Sequence, residues 1–296
     1  MTTSPTTGVA KAEGADLYFE RRGDGPPLLL IAGGGGDCGA SEAMADILAS
    51  GYTVLRYDRR GNSRSPLHYA PVPITMAEQS ADAVAVLAAG GFESARIFGN
   101  SGGATIALDL AARHPGAVDA VVAHEPPLPR VLPDAARYLS VYDEIDRVLA
   151  TQGWEAALRL FQLQVGHVPA EQLPLVMAVL LRPASVLPPG PQREVLERLS
   201  RNWEYMTRFE IASFIRYLPD LDQIAASKIP VALAAGTDTI ALAGRADLSH
   251  DPFHRVSVAI AERLGAEFAE VPGGHLAPFE VPGPFAAAVR GLFGRL

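Results

Sequence analysis

Ala95-Arg96-Ile97-Phe98-Gly99-Asn100-Ser101-Gly102-Gly103-Ala104-Thr105-Ile106-Ala107-Leu108 decides how this chain is built. Its first four residues read as a buried strand and its last five as a helix. Between them Gly99-Asn100-Ser101-Gly102-Gly103 fits G-x-S-x-G. A strand that enters a helix through one tight turn needs small neighbours, and Gly99 and Gly103 supply them. Ser101 then sits at a helix N-terminus, where backbone N–H dipoles favour negative charge. This is the nucleophile-elbow arrangement. The plainer alternative is a Gly-rich turn whose serine only caps the helix.

Outward from this turn the same rhythm repeats. Leu28–Ala32, Tyr52–Tyr57, Ala95–Phe98, Ala117–Ala123, Pro230–Ala235 and Ala266–Val271 read as strands. Glu42–Ala49, Met76–Ala89, Ala104–Arg113, Phe253–Leu264 and Phe285–Phe293 read as helices. Strands alternating with helices predict an α/β fold, a mostly parallel sheet with helices on both faces. The rhythm stops from Pro126 to about Lys228, where helical segments are broken by Pro133, Pro169, Pro174, Pro183 and the Pro188–Pro191 run. Trp154, Ala157, Leu158 and Phe161 fall on one helical face there. The expected organisation is a core over residues 1–125, with a tail over 1–12, a helical cap over 126–228, and the rest of the core over 229–296. Ligands in open α/β sheets bind beyond the carboxyl ends of the strands, where such a cap would wall off a pocket.

Composition narrows the function. The chain has 296 residues, 48% hydrophobic and 20% charged, enough for a sizeable core without covalent staples. The single cysteine, Cys38, excludes an intramolecular disulfide and any Cys-rich metal site. A net charge of −8 argues against nucleic acid as partner, since phosphate contacts need clustered Lys and Arg. There is no basic segment leading into an apolar stretch at the N-terminus, and no apolar run of about 18 residues. The expected home is the cytoplasm, with no membrane partner.

A serine needs a base to attack. Of the seven histidines, His275 follows the last strand in Val271-Pro272-Gly273-Gly274-His275-Leu276, where two glycines let a loop lift the ring over the sheet end. His114, before Pro115, marks a helix end. His250 and His254 lie four apart beside Asp251, but Pro252 separates them and no third ligand is evident, so no metal is expected. His68 and His167 read as surface residues, and His124, beside a candidate acid, as one lining the pocket.

With Ser101, His275 and the Gly33–Gly36 run in this order, the chain resembles the α/β-hydrolase superfamily from about Asp16 to Leu296. It is nearest to bacterial cytosolic serine hydrolases with a helical cap. Asp58-Arg59-Arg60-Gly61-Asn62-Ser63-Arg64-Ser65 resembles the loop after that family's fourth strand. The resemblance implies eight strands, mostly parallel, with a cap inserted after the sixth. It implies a triad acid in one of two places. Asp238 follows the strand after the cap, although many relatives carry the acid at the position of Thr239. Glu125, in His124-Glu125-Pro126-Pro127, ends the strand before the cap, where certain haloalkane dehalogenases place theirs. Two prolines would hold it stiffly. Asp247 is a remoter choice. For the oxyanion, the residue after the nucleophile implies Gly102 and the early glycine loop implies Gly34, with Gly35 as alternative. That loop completes neither a dinucleotide nor a phosphate-binding motif, and Cys38 reads as packed.

The function implied is a serine esterase, acting without cofactor on a carboxylic ester, thioester or lactone of a small to medium hydrophobic substrate. Acyl transfer, lyase chemistry, peracid formation and a non-hydrolytic ligand receptor stay open, as does a homo-oligomer. An Asp nucleophile, as in dehalogenases and epoxide hydrolases, is disfavoured because position 101 is Ser.

Overall fold

The computed structural model describes residues 5–166, 168–239 and 252–296. Its sheet holds β1 (Thr6–Ala12), β2 (Ala15–Arg22), β3 (Pro27–Ile31), β4 (Thr53–Tyr57), β5 (Ala95–Asn100), β6 (Val118–His124), β7 (Val231–Gly236) and β8 (Glu267–Val271). The spatial order is β1-β2-β4-β3-β5-β6-β7-β8. The six strands from β3 onward pair in parallel, while β1 and β2 form an antiparallel edge.

Period-two alternation splits the core between the two faces of the sheet. Leu29, Ile31, Leu55, Ile97 and Val121 face one side. There they meet helices α2 (Met76–Ala89) and α3 (Gly102–Arg113). Leu28, Leu30, Val54, Phe98 and Val122 face the other side, against α1 (Glu42–Leu48). Every residue of β4 and β7 is buried, as strands covered on both faces should be.

Between β6 and β7 the described residues contain no strand. They form α4 (Ala135–Gln152), α5 (Trp154–Gln164), α6 (Leu173–Leu181), α7 (Pro191–Tyr205), a π-helical turn at Met206–Glu210, α8 (Ile211–Ile215) and α9 (Leu221–Ser227). This insertion has its own apolar cluster. In it Ala157 and Leu158 are buried, with Trp154 and Phe161 packed beside Tyr142, Ile145, Met177 and Met206. After β7 come α10 (Phe253–Leu264), then β8, α11 (Ala277–Glu280) and α12 (Pro282–Phe293). No helix among the described residues is long and apolar enough to cross a membrane.

One expectation is corrected. The tail expected over residues 1–12 is, from Thr6 onward, the edge strand β1, registered on β2 from Thr6↔Arg21 to Ala12↔Ala15. Of its seven residues only Ala10 is buried. Such a strand is held by backbone pairing and carries almost no apolar signature. Its partner β2, also missing from the six strands read in the sequence, does alternate: Ala15, Leu17 and Phe19 are buried, with Asp16 and Tyr18 half-buried between them.

Candidate active site

The turn between β5 and α3 places Ser101 at the carboxyl end of the sheet. Its φ of 56° and ψ of −125° lie where non-glycine residues are strained. The turn is held open at one end by Ser101 N–H donating to His124 O at 2.9 Å, and closed at the other by Ala104 N–H donating to Ser101 O. The flanking glycines are steric necessities. A Cβ at 99 would sit 2.2 Å from Gly103 O, and one at 103 would sit 2.1 Å from Ile31 O. The side chain of Ser101 makes no cap bond to its own helix, which disposes of the plain capping role.

His275 lies on the loop after β8, and 29% of its side chain is exposed. Its Nδ1 is 2.7 Å from Glu125 Oε2. Glu125 Oε1 accepts from Gly236 N–H at 2.8 Å, so both carboxylate oxygens are bound and the residue has no exposure. Glu125 itself has a φ of 50°, and its N–H donates to Ala234 O at 3.1 Å. Burial pushes its carboxyl pKa up, but the His275 bond, the neighbouring charges and the Gly236 amide outweigh this and bring it to about 2. An ionised Glu125 accepts the Nδ1 proton, which leaves Nε2 with its lone pair free. The ring is also stacked on Phe253, the first residue of α10, at 4.2 Å between centroids and 23° between planes.

The other acid candidate is not brought to the imidazole. Asp238 is exposed, and its N–H donates to Gly273 O at 3.0 Å. Asp247, His250 and His167 lie outside the described residues. Among the described residues no hydrogen bond joins Ser101 Oγ to His275. The two loops are tied through Asn100, whose Nδ2 donates to His275 O at 3.4 Å. Asn100 Oδ1 lies 2.6 Å from His124 Nδ1. His124 is therefore a buried support, packed edge-on against Phe285, and not the pocket-lining residue expected. Burial, more than any neighbouring charge, lowers its pKa to about 4 and keeps it neutral.

The glycine loop passes beside the serine. A Cβ at Gly33 would lie 2.9 Å from Ser101 Cβ. The insertion covers the next positions: Met206 Sδ stands 2.8 Å from where a Cβ of Gly34 would be, and the Phe214 ring 2.8 Å from that of Gly102. Cys38 is packed as expected, its thiol pKa pushed well up by burial. Beneath the loop Arg59 is fully buried. Its Nε donates to Ala32 O (3.1 Å) and its Nη2 to Gly33 O (2.9 Å), while Nη1 and Nη2 grip Glu210 at 2.9 and 2.8 Å. Burial alone would lower the Arg59 pKa, but the Glu210 carboxylate raises it, so the guanidinium stays charged.

Asn100, Arg59, Glu210 and Phe253 were not singled out from the sequence. Asn100 and Arg59 stand inside motifs that were quoted, so position alone could have flagged them. Glu210 lies in the strand-free insertion and Phe253 opens a helix read from the sequence, but no local signal points either toward the serine, and only the fold joins them to the site.

Residues 26–282 match the family model described as the alpha/beta hydrolase fold, and the chain belongs to that family. An uncharacterized hydrolase of Bacillus subtilis, YraK, is 32% identical over 270 residues, covering 90% of this chain and 89% of its own. A zearalenone hydrolase of Bionectria ochroleuca is 30% identical over 149 residues, covering 48% of this chain and 55% of its own. Among solved structures, the enol-lactonase of Burkholderia xenovorans LB400 superposes with a TM-score of 0.63 at 20% identity, covering 97% of this chain and all of that one. That likeness is one of fold.

Proposed function

We propose that the protein hydrolyses a carboxylic ester, thioester or lactone through an acyl-enzyme on Ser101. The observation that carries this reading is the 2.7 Å bond between buried Glu125 and His275 Nδ1, at the same sheet end as the strained serine. Ser101 Oγ attacks the substrate carbonyl while His275 Nε2 takes the hydroxyl proton. The tetrahedral oxyanion is met by the N–H groups of Gly34 and Gly102. Collapse of that adduct breaks the bond to the alcohol or thiol, which leaves with the proton returned by His275. Water, deprotonated by the same nitrogen, then attacks the acyl carbon and releases the acid and free Ser101. Glu125 holds the imidazole tautomer and stabilises its charged form. Catalytic serine–imidazole bonds commonly tighten only once substrate is in place, so an open Ser101–His275 pair before binding fits this role.

Residues 126–228 act as the cap, and Met206 and Phe214 on its underside favour an apolar acyl or leaving group. The printed names of the zearalenone hydrolase and the enol-lactonase make lactones the first class to try. The test is labelling with a fluorophosphonate followed by peptide mass analysis, alongside p-nitrophenyl acetate turnover. A single adduct on Ser101 that abolishes turnover is expected. An unlabelled Ser101 in a protein that still turns over the ester would overturn the reading.

A further inference from the structure

Three arginines follow one another closely in this part of the fold, and their partners differ. Arg56 pairs with Glu20 and donates to a single backbone oxygen, Cys38 O. Arg60 pairs with Asp82 and Glu78, and its one backbone acceptor is Glu13 O, far from the serine in sequence. Arg59 instead binds two successive carbonyls, Ala32 and Gly33, in the loop beside Ser101. Its remaining Nη protons go to Gln79 Oε1 and both oxygens of Glu210. All five donors of the guanidinium are thus engaged.

The peptide plane gives this arrangement a consequence. In a trans peptide the C=O and the following N–H point in opposite directions. Gly33 O is held by Arg59 Nη2 and also accepts from Gly36 N–H at 3.1 Å, so Gly34 N–H points from the opposite edge of the same peptide plane. Gly33 would place a Cβ 3.6 Å from Ser101 Oγ, so that plane borders the reacting oxygen. Glu210 closes the clamp from the insertion. It ends the π-helical turn Met206–Glu210, whose other end sets Met206 against Gly34. Asn62 Nδ2 donates to Glu210 Oε1 at 2.9 Å and keeps the carboxylate in place. π-turns recur at functional sites because they aim side chains that a regular helix would not.

We propose that Arg59, clamped by Glu210, is a positioning residue that fixes the Gly33–Gly34 peptide so that Gly34 N–H stays aimed at the oxyanion. This rests on the reading above, in which Ser101 attacks and Gly34 is a donor. A pair serving only the fold would not need the two loop carbonyls, and replacing it with apolar residues of similar volume would leave catalysis intact.

The test compares Arg59→Lys and the double variant Arg59→Met/Glu210→Met with the unaltered protein. The double variant removes both buried charges at once, so it keeps the test valid if Arg59→Lys fails to fold. Thermal unfolding checks that each is folded. kcat and KM are measured with p-nitrophenyl acetate, together with inhibition by benzeneboronic acid, whose adduct on the serine is a tetrahedral anion. Removing one oxyanion donor outright costs on the order of a hundredfold or more in kcat, so a misaimed one should cost about tenfold, with KM within about twofold. The boronate inhibition constant should rise by a similar factor in both variants. A folded double variant with kcat and boronate affinity within about twofold of the unaltered protein would overturn the proposal. Fluorophosphonate labelling of Ser101 in the unaltered protein separates the two claims. If it fails, the parent reading falls and this one with it; if it succeeds while the double variant keeps its activity, this proposal alone falls.

Discussion

The carboxyl ends of β6 and β7 are neighbours, paired from Val121↔Val231 to His124↔Ala234, and each leads into an acidic residue. Their treatment of that acid is opposite. After β6 the backbone turns at once through the positive φ of Glu125, and the carboxylate is buried between Gly236 N–H and His275. After β7 the chain runs on to Asp238, which is exposed and whose N–H donates to Gly273 O. The end of β7 thus donates an amide to its neighbour's acid, and among the described residues Asp238 makes no bond to the imidazole. Whether an acid reaches the imidazole follows the direction of the backbone that carries it, and distance from a strand end does not decide it. The sharpest way to break this contrast is a pair of isosteric substitutions. Glu125→Gln should lower kcat/KM by on the order of 10⁴, as loss of the orienting acid does in a worked triad. Asp238→Asn should stay within about threefold of the unaltered protein, the range of a surface change. Steady-state kinetics on a p-nitrophenyl ester decide it, and similar losses in both variants would erase the distinction.

The same contrast explains what could be read from the residues alone. The parallel core was legible because β3 to β7 are largely apolar, mostly buried segments alternating with helical ones. Ser101 and His275 stood out as candidates because glycines flank them, which a sequence displays. The choice between Glu125 and Asp238 was not, since both follow strands and the positive φ at Glu125 leaves no mark in its composition. The edge strand β1 was missed because its residues are mostly exposed and it is held by pairing with β2. Arg59 and Glu210 are 151 positions apart, and no local pattern links two charges that only the folded insertion brings together.

A second difference between the two strand ends concerns protons. β6 ends in His124, buried and neutral, while β7 ends in Ala235 and Gly236. The His124 pKa falls from 6.5 to about 4 on folding. Between those values the unfolded chain binds the proton that the folded chain refuses. Stability is therefore fully present above pH 6.5 and declines as pH drops toward 4, by on the order of 3 kcal/mol. Glu125 acts in the next window down, because its carboxyl, depressed from 4.5 to about 2, adds stability that is lost as pH falls through that lower range. Urea unfolding at pH 7, 5 and 4 should follow the His124 decline. His124→Gln can still donate toward Asn100, and it should flatten the curve between pH 6.5 and 4. A slope unchanged by that substitution would place the proton elsewhere.

The smallest expected effect asks what the β7 side contributes to the imidazole if not a charge. Phe253 opens α10, which is anchored under β7 by Ser257 Oγ donating to Ala234 O. From there its ring lies flat against His275, on a face that Glu125 does not touch. One strand end thus fixes the ring in its own plane through Nδ1, and the other limits its tilt by stacking. Phe253→Leu keeps an apolar contact but removes the aromatic face. An aromatic pair is worth about 0.5–1.5 kcal/mol beyond the area it buries, which corresponds to roughly two- to tenfold in kcat if the ring must be held for proton transfer. Phe253→Tyr keeps the face and should recover most of the loss. If leucine and tyrosine behave alike in kcat, stacking does not orient the base, and the hydrogen bond to Glu125 is sufficient by itself.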